Sequence, residues 1–312
     1  MRNPHQIDII RRRLLGWYKT EKREFLWRTT RDPYIILVSE IMLQQTQTTR
    51  VALMLPKFLR RFPSLEALSR ARVASVIRAW QGMGYNNRAV RLRQLAREIM
   101  VRHHGEIPTD IPTLLELPGI GSYTAHAIAC FAFRQPVAVV DVNVRRVVSR
   151  IFSTMASISM VLPDDIIEPL AQSVVGKKSY DLNQALMDLG STICIARFPR
   201  CEECPVSRSC GSRASLFQSS PRRMPIRHRR TSTEPSHMGI PNRIWRGKIV
   251  ATLGRLRTTE SISVTRLGRS LTPNFDDTDR KWLLTIISGL QRDGLLSVIG
   301  RNGDISVMLS RA

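Results

Sequence analysis

The sequence lacks any long run of apolar residues. No uninterrupted hydrophobic stretch approaches the roughly 20 residues that a membrane-spanning helix needs, which excludes an integral membrane protein. The first residues also lack the apolar core of a signal peptide, because charged side chains interrupt the helical pattern of Ile7, Ile10 and Leu14. We therefore expect a cytoplasmic protein.

Acidic residues are scarce. The 312 residues contain 25 Asp and Glu against 48 Lys and Arg, which gives a formal net charge of +23. This excess is unusual for an enzyme of small metabolites and suits a polyanionic partner. Nucleic acid and an anionic membrane surface both qualify. We favour nucleic acid, and hence a nucleoid-associated protein, because arginine is spread over the whole length.

The spacing of apolar residues divides the chain into three parts. From Ile7 to about Phe198 the spacing is helical, with frequent Pro and Gly breaks, which predicts an all-α body of short helices. Residues 211–241 are rich in Ser, Pro, Arg and His and have no period, which predicts a flexible basic linker. Residues 242–312 regain helical spacing and form a predicted second domain.

This second domain is predicted to have a winged-helix-like α+β fold. Three helical patterns are followed by two short apolar stretches that flank Asn302-Gly303, a strong hairpin signal. Winged helices commonly bind DNA but also serve as protein-docking units. Both roles remain open for this domain.

Four of the five cysteines are clustered near the end of the helical body. In a reducing compartment such a cluster is expected to hold a metal rather than to form disulfides. Four thiolates are a complete ligand set for zinc or for an iron–sulfur cluster. The clustered residues are Cys194, Cys201, Cys204 and Cys210, whereas Cys130 lies in an apolar helix and is predicted to be core.

Two further segments place polar groups where chemistry could occur. In LPGIGSYTA, Gly119 and Gly121 lie in a tight turn before a helix, whose free N–H groups would bind phosphate. An ordinary interhelical turn could carry the same glycines. Downstream, Asp141 ends an apolar run, which fits a helix N-cap, a catalytic group in a dry pocket, or both.

A second candidate acid lies upstream, in the segment SEIMLQQTQ. A lone glutamate in a helix usually faces solvent, but Glu40 has apolar residues close on both sides. Burial would raise the pKa of Glu40 toward that of a useful general acid.

Taken together, SEIMLQQTQ, LPGIGSYTAHAIA and VVDVNVRRV resemble the signatures of the MutY adenine glycosylases in the endonuclease III superfamily. The resemblance covers about residues 7–210. It implies a helix-hairpin-helix body, with a six-helix lobe at about 30–140 and a cluster lobe formed by 1–29 and 141–210. It also implies a [4Fe-4S] cluster rather than zinc on the four clustered cysteines.

The resemblance also implies a role for each site residue. Glu40 would protonate adenine, and an ionised Asp141 would stabilise the oxocarbenium-like sugar. Enzymes of this superfamily with lyase activity carry lysine where this chain has Tyr123, which implies a monofunctional glycosylase. Tyr123 and Asn143 would orient Glu40 and the attacking water. The residues expected to contact DNA are the wedge residues Gln44 and Gln45, the intercalating Tyr85, and Gly119, Gly121 and Ser122 of the hairpin.

The expected partner is double-stranded DNA with adenine opposite guanine or 8-oxoguanine, bound by a monomer. Two other functions remain open, a thymine or uracil glycosylase acting on G mispairs and a non-catalytic DNA-binding protein. The QQTQ segment favours adenine, and the presence of both carboxylates and all four cysteines argues against loss of catalysis. Two departures from the family leave the DNA contacts open. Asn86 replaces a second Tyr, and the C-terminal domain is smaller than the usual Nudix-like domain.

Overall fold

The computed structural model describes residues 3–153, 161–218, 234–257, 259–272, 274–300 and 305–311. Its helical body is formed by α1 (Pro4–Glu21), α2 (Pro33–Leu43), α3 (Thr48–Arg61), α4 (Leu65–Arg70), α5 (Val73–Ala79), α6 (Asn87–Arg102), α7 (Ile111–Glu116), α8 (Ser122–Phe131), α9 (Val142–Phe152), α10 (Asp164–Val175), α11 (Ser179–Thr192) and α12 (Arg213–Gln218). None of the described helices is long and apolar enough to cross a membrane.

The chain divides into two compact units. Unit 1 comprises residues 1–36, 109–115 and 120–228, and unit 2 comprises 37–108, 116–119 and 229–312. The C-terminal domain therefore belongs to the same unit as helices α3 to α6. The domain boundaries predicted from the sequence remain a prediction.

The core of unit 1 is built from the apolar faces of α1, α9, α10 and α11. Helix α9 shows why these sequences form helices, since its apolar residues recur at the i, i+3, i+4 spacing of one helix face. Each fully buried aliphatic side chain contributes roughly 1.5–3 kcal/mol. The buried side chains of α9 are Val144, Val147, Val148 and Ile151.

A buried ion pair ties the start of the chain to α11. Asp188 is fully buried, and its two carboxylate oxygens accept hydrogen bonds from Arg28 Nη1 and Nη2 at 2.7 and 2.9 Å. The Arg23 Nε atom donates a further bond at 2.7 Å. Burial alone would raise the pKa of Asp188, but the hydrogen bonds and charges of Arg28 and Arg23 outweigh it and lower that pKa.

The C-terminal domain of unit 2 has the predicted winged-helix-like order. Its elements are α13 (Asn242–Arg255), β3 (Ile262–Ser263), α14 (Val264–Leu271), α15 (Asp277–Arg292), β4 (Leu296–Ile299) and β5 (Ser306–Leu309). The three strands form an antiparallel sheet with the order β3-β5-β4. The hairpin prediction is confirmed by the pairing of β4 with β5, although its turn at 301–304 lies outside the described residues.

Parts of the predicted linker at 211–241 are regular structure. Helix α12 buries Leu216, and β1 (Ser236–His237) pairs with β2 (Ile240–Pro241) around a turn in which Met238 and Gly239 have positive φ. For these residues the linker prediction was wrong, because a few apolar side chains suffice to anchor short elements on a neighbouring core. Residues 219–233 lie outside the described part of the chain.

We expect Asp188→Asn to lower the free energy of unfolding by about 3 kcal/mol, because it leaves the half-buried guanidinium groups of Arg28 and Arg23 without their counter-charge. The pKa of Asp188 is lower in the folded state than in the unfolded chain, where it is about 3.9. The stabilisation is therefore complete above that value and is lost as pH falls through the folded-state pKa. Urea unfolding of both proteins should show a constant difference above about pH 5 that narrows in more acidic buffer. A constant difference down to pH 2 would contradict this assignment.

Candidate active site and metal centre

Glu40 is buried on α2 of unit 2, with 3% of its surface exposed. Helix α2 is apolar on almost every side, so residues 36–42 are all buried, and Glu40 lies within this buried segment. A carboxyl group in such surroundings can act as an acid only if it is held in a fixed position. The packing of α2 holds Glu40 in this way. The expected burial of Glu40 is confirmed.

The predicted DNA-contacting residues of unit 2 lie on strained loops. Gln45 and Tyr85 are exposed and have φ values of +54° and +45°. Residues other than glycine rarely adopt this left-handed region, and they cluster at functional sites when they do. The flanking Gly82 and Gly84 also have positive φ, so the Tyr85 loop makes two sharp turns within four residues.

Arg88 connects these two loops from inside the protein. Arg88 is 7% exposed, and its guanidinium donates hydrogen bonds to the carbonyl oxygens of Ile41 and Met42 at 2.9 and 3.0 Å, and also to that of Gln44. The same group donates to Thr46 Oγ1 at 2.9 Å and to the Gly84 carbonyl at 3.2 Å. These bonds fix the end of α2 relative to the Tyr85 loop.

The environment of Arg88 is unusually dry for a cation. Burial lowers the pKa of Arg88 to about 10, and its guanidinium lies 5.4 Å from the ring centroid of Trp80 and 5.6 Å from that of Tyr85. Arg88 therefore remains charged at neutral pH and makes a cation–π contact with the Tyr85 ring.

The turn that contains Gly119 and Gly121 leads into α8, as predicted. Gly119 has a φ of +83°, which explains the glycine there. Gly121 is different, because it has extended backbone (φ −99°) and precedes Ser122 as the N-cap of α8. A Cβ atom added at Gly121 would meet nothing within 4 Å, so this glycine keeps the helix start open to an approaching group.

Asp141 is the N-cap of α9, as the sequence predicted. Its Oδ1 atom accepts hydrogen bonds from the backbone N–H groups of Asn143 and Val144 at 2.9 and 2.7 Å. Its Oδ2 atom accepts a bond from Asn143 Nδ2 at 2.9 Å. The structure thus brings Asp141 and Asn143 together and holds both carboxylate oxygens in fixed positions.

Hydrogen bonds continue from Asn143 to the cysteine-rich loop. Arg146 donates to Asn143 Oδ1 at 2.9 Å, to the Gly190 carbonyl at 2.6 Å and to the Cys194 carbonyl at 2.9 Å. Arg150 is 1% exposed and donates to the carbonyls of residues 195 and 196 and, at 3.3 Å, to Cys194 Sγ.

The four clustered cysteines line one small pocket. Within the described residues no three Cys, His, Asp or Glu side chains approach closely enough to bind one metal ion. Four cysteine thiolates are the ligand set of a structural zinc ion or of an iron–sulfur cluster.

Two of these thiols, those of Cys201 and Cys204, are not ionised by their surroundings. Burial raises the pKa of the Cys204 thiol to about 12 and also raises that of Cys201. Metal binding must therefore displace protons from these sulfurs. Cys130 is fully buried in α8, in keeping with its predicted core role.

The remaining predicted residues fall in separate units. Glu40, Gln44, Gln45, Tyr85 and Gly119 belong to unit 2, whereas Gly121, Ser122, Tyr123, Asp141 and Asn143 belong to unit 1. Tyr123 is partly buried on α8 and lines a cleft together with Ser122, His126 and Val140. That Tyr123 and Asn143 orient Glu40 remains a prediction.

Three buried or half-buried arginines were missed by the sequence analysis. Arg88, Arg146 and Arg150 occur in helices of a strongly basic chain, where an arginine normally indicates a solvated face.

Comparisons with known proteins find matches over the helical part of the chain. Residues 38–161 match the family described as HhH-GPD superfamily base excision DNA repair protein. The chain is 46% identical over 195 residues to an adenine DNA glycosylase of Mycobacterium tuberculosis, covering 62% of this chain and 64% of that protein. The match thus spans slightly less than two thirds of that relative's length.

A second relative and a solved structure are matched over almost their whole length. The chain is 35% identical over 199 residues to a thymine/uracil-DNA glycosylase of Methanothermobacter thermautotrophicus, covering 63% of this chain and 90% of that protein. The structure of a thermostable thymine-DNA glycosylase superposes with a TM-score of 0.64 at 32% identity, covering 68% of this chain and 98% of that chain.

We expect Arg88→Met to destabilise the protein by about 3 kcal/mol, since it leaves several buried carbonyl groups without a donor. Arg91→Ala is the matched control, because Arg91 lies one turn along the same helix with its side chain exposed. Its effect should stay within about 0.5 kcal/mol. Chemical unfolding measures both values. Equal unfolding midpoints for the two variants would show that the hydrogen bonds of Arg88 do not stabilise the loops.

Proposed function

The chain belongs to the HhH-GPD superfamily of base excision DNA repair proteins, and on this premise we propose that it is a monofunctional adenine DNA glycosylase. It would act as a monomer on double-stranded DNA at the nucleoid and hydrolyse the N-glycosidic bond of adenine opposite guanine or 8-oxoguanine. The 46% identity with an adenine DNA glycosylase supports adenine as the base.

The contrast between two carboxyl groups is the observation that carries this proposal. Glu40 is buried in an apolar helix, and burial disfavours the charged form of a carboxyl group. Asp141 lies at a helix N-terminus instead, where its carboxylate oxygens accept two backbone hydrogen bonds and one from the Asn143 side chain. Carboxyl groups in such different environments suit the roles of acid and anionic stabiliser.

The proposed reaction uses these two groups in sequence. Glu40 donates a proton to a ring nitrogen of the flipped adenine, so that the base can leave with the electrons of the C1′–N9 bond. The sugar then carries positive charge, which the Asp141 carboxylate stabilises. Water adds to C1′ and releases a proton, which restores the acid form of Glu40, so that free adenine and an abasic site remain. Tyr123 has no amine with which to form a Schiff base with the sugar, so the DNA backbone stays intact.

Binding would use the exposed features of both units. The N-terminus of α8, with Gly121 and Ser122, offers free N–H groups to a phosphate. Gln45 and Tyr85 are exposed on fixed loops, where they can fill the space left by a base that leaves the stack. Such filling offsets part of the few kcal/mol that base flipping costs.

We further propose that Cys194, Cys201, Cys204 and Cys210 hold a [4Fe-4S] cluster. Two observations support this assignment: the four residues line one pocket, and their spacing in the sequence resembles that of the cluster loop of the family. The cluster would supply a rigid anchor for the loop at 194–210. Arg150 would steady this anchor through its hydrogen bond to the Cys194 sulfur.

A thymine or uracil glycosylase is the second candidate. The coverage of 90% of a thymine/uracil-DNA glycosylase and the superposition on a thymine-DNA glycosylase both favour it. Duplexes with adenine opposite 8-oxoguanine, adenine opposite guanine, and thymine or uracil opposite guanine separate the two functions. Faster release of thymine or uracil than of adenine would favour this second function over our proposal. Strand nicking without added alkali would exclude the monofunctional mechanism.

We expect Glu40→Gln to reduce adenine release at least about 10²-fold, the lower end of what one acid–base group contributes. Duplex affinity should change little, because the substitution removes a proton donor with almost no change in volume. Single-turnover release, scored by alkaline cleavage at abasic sites, measures the first quantity and a gel-shift titration the second. Glu98→Gln, on the surface of α6, is the control. Wild-type release by Glu40→Gln would remove Glu40 from the mechanism.

The purified protein should be yellow-brown and contain iron, and Cys201→Ser should lose most of the visible absorbance. Serine is a poor ligand for iron in such clusters, which take cysteine thiolates. Cys130→Ser, which alters a buried cysteine outside the pocket, should retain the colour. Iron and zinc analysis of all three proteins provides the measurement. Stoichiometric zinc without iron would reject the cluster.

A further inference from the structure

The C-terminal domain shares a hydrophobic core with the two helices that flank the Tyr85 loop. Val73, Ala74 and Ile77 of α5 and Val90 of α6 are buried in the same cluster as α13, α14 and α15. The domain is therefore packed into unit 2, because α5 and α6 contribute side chains to its hydrophobic core. Its side chains in this cluster include Ile249, Val250, Leu253, Leu267, Leu283, Ile287 and Leu295.

Polar contacts add to this packing where α5 ends. The Arg78 side chain donates hydrogen bonds to the carbonyls of Gly254 and Leu256 at 3.1 and 2.9 Å, which satisfies the C-terminus of α13. Gln81, three residues later, lies directly against Gly254. A Cβ atom added at Gly254 would overlap Gln81 Nε2. The α13 backbone thus contacts the first residue of the loop that carries Tyr85.

We propose that the C-terminal domain is an intramolecular support that fixes the Gln81–Tyr85 loop in the shape that contacts DNA. The loop is bounded by α5 and α6, and the domain packs on both helices. Movement of the domain therefore displaces both ends of the loop. The inference rests on the proposed function, because that function places Tyr85 in the DNA.

The other role of a winged helix is to read DNA itself, and the surface of α15 disfavours it. In helix-turn-helix proteins the N-terminal residues of the recognition helix contact the bases. Here Asp276 and Asp277 are exposed at the start of α15, where they would repel the phosphate backbone. Asp279 in the same turn is buried, and the Nε2 atom of His237 in β1 lies 2.6 Å from Asp279 Oδ1. The exposed part of this helix end is therefore acidic.

The test compares Gly254→Leu with Gly247→Leu in the full-length protein. Both positions lie on α13 and gain the same helix propensity, but a Cβ atom at Gly247 meets nothing within 4 Å. Hydrogen exchange of the amides at 81–88 reports the loop without requiring activity. We expect faster exchange in Gly254→Leu, and about tenfold weaker affinity for a duplex with adenine opposite 8-oxoguanine, or about 1.4 kcal/mol. Gly247→Leu should match the wild type in both.

Two further variants guard against a simple folding defect. Gln81→Ala removes the side chain that meets the new leucine, so the double variant should recover most of the lost affinity. Gln81→Ala alone should be nearly neutral, since Gln81 Nε2 has no hydrogen-bond partner within the described residues. Arg78→Ala removes the bonds to α13 without crowding and should change exchange and affinity in the same direction as Gly254→Leu.

The outcomes distinguish the support from its alternatives. If Gly254→Leu and Arg78→Ala match Gly247→Leu in exchange, or alter exchange without altering affinity, the proposal is overturned. Lys281→Ala, on the exposed side of α15, should leave affinity unchanged. A loss of affinity with a smaller salt dependence would make the domain a DNA-contacting module instead. If the wild type releases no base from any duplex, the proposed function fails, and the exchange experiment still decides whether the domain fixes the loop.

Discussion

Buried guanidinium groups that bond to backbone carbonyls hold the functional loops of this protein together. A loop outside regular structure leaves carbonyl groups without partners, and each one buried in that state costs free energy. Arg88 meets this requirement at the end of α2, and Arg150 meets it for residues 194–196. Arginine suits this role because it has five donors in a fixed plane and stays charged when buried. The positions of Tyr85 and of the cysteine loop both depend on this arrangement.

The two candidate carboxyl groups owe their different chemistry to different kinds of secondary-structure position. Glu40 lies in the middle of a helix, where the backbone offers no free donors and only neighbouring side chains set its environment. Asp141 lies at a helix start, where free backbone N–H groups donate hydrogen bonds to its carboxylate. The positive end of the helix dipole is at the same place. Two carboxyl groups are thus placed in an apolar and in a donor-rich environment.

The parts of the structure that follow local patterns were predictable. The apolar surroundings of Glu40, the capping role of Asp141 and the hairpin of the C-terminal domain each depend on neighbours in the sequence. The left-handed backbone of Gln45 and Tyr85 was not predictable, because these residues do not favour it and the bonds that hold their loops, such as those of Arg88, join residues distant in sequence. The shared core of α5 and the C-terminal domain was also missed, since apolar periodicity identifies a buried face but not its partner.

The strained loops have a thermodynamic consequence for recognition. A binding surface that is ordered before its partner arrives loses little conformational entropy on association. The free energy spent on the positive φ values of Gln45 and Tyr85 is then already contained in the folding of the free protein. Calorimetry of duplex binding should therefore show a heat-capacity change that reflects the buried contact area alone, without the larger negative change of a coupled folding transition.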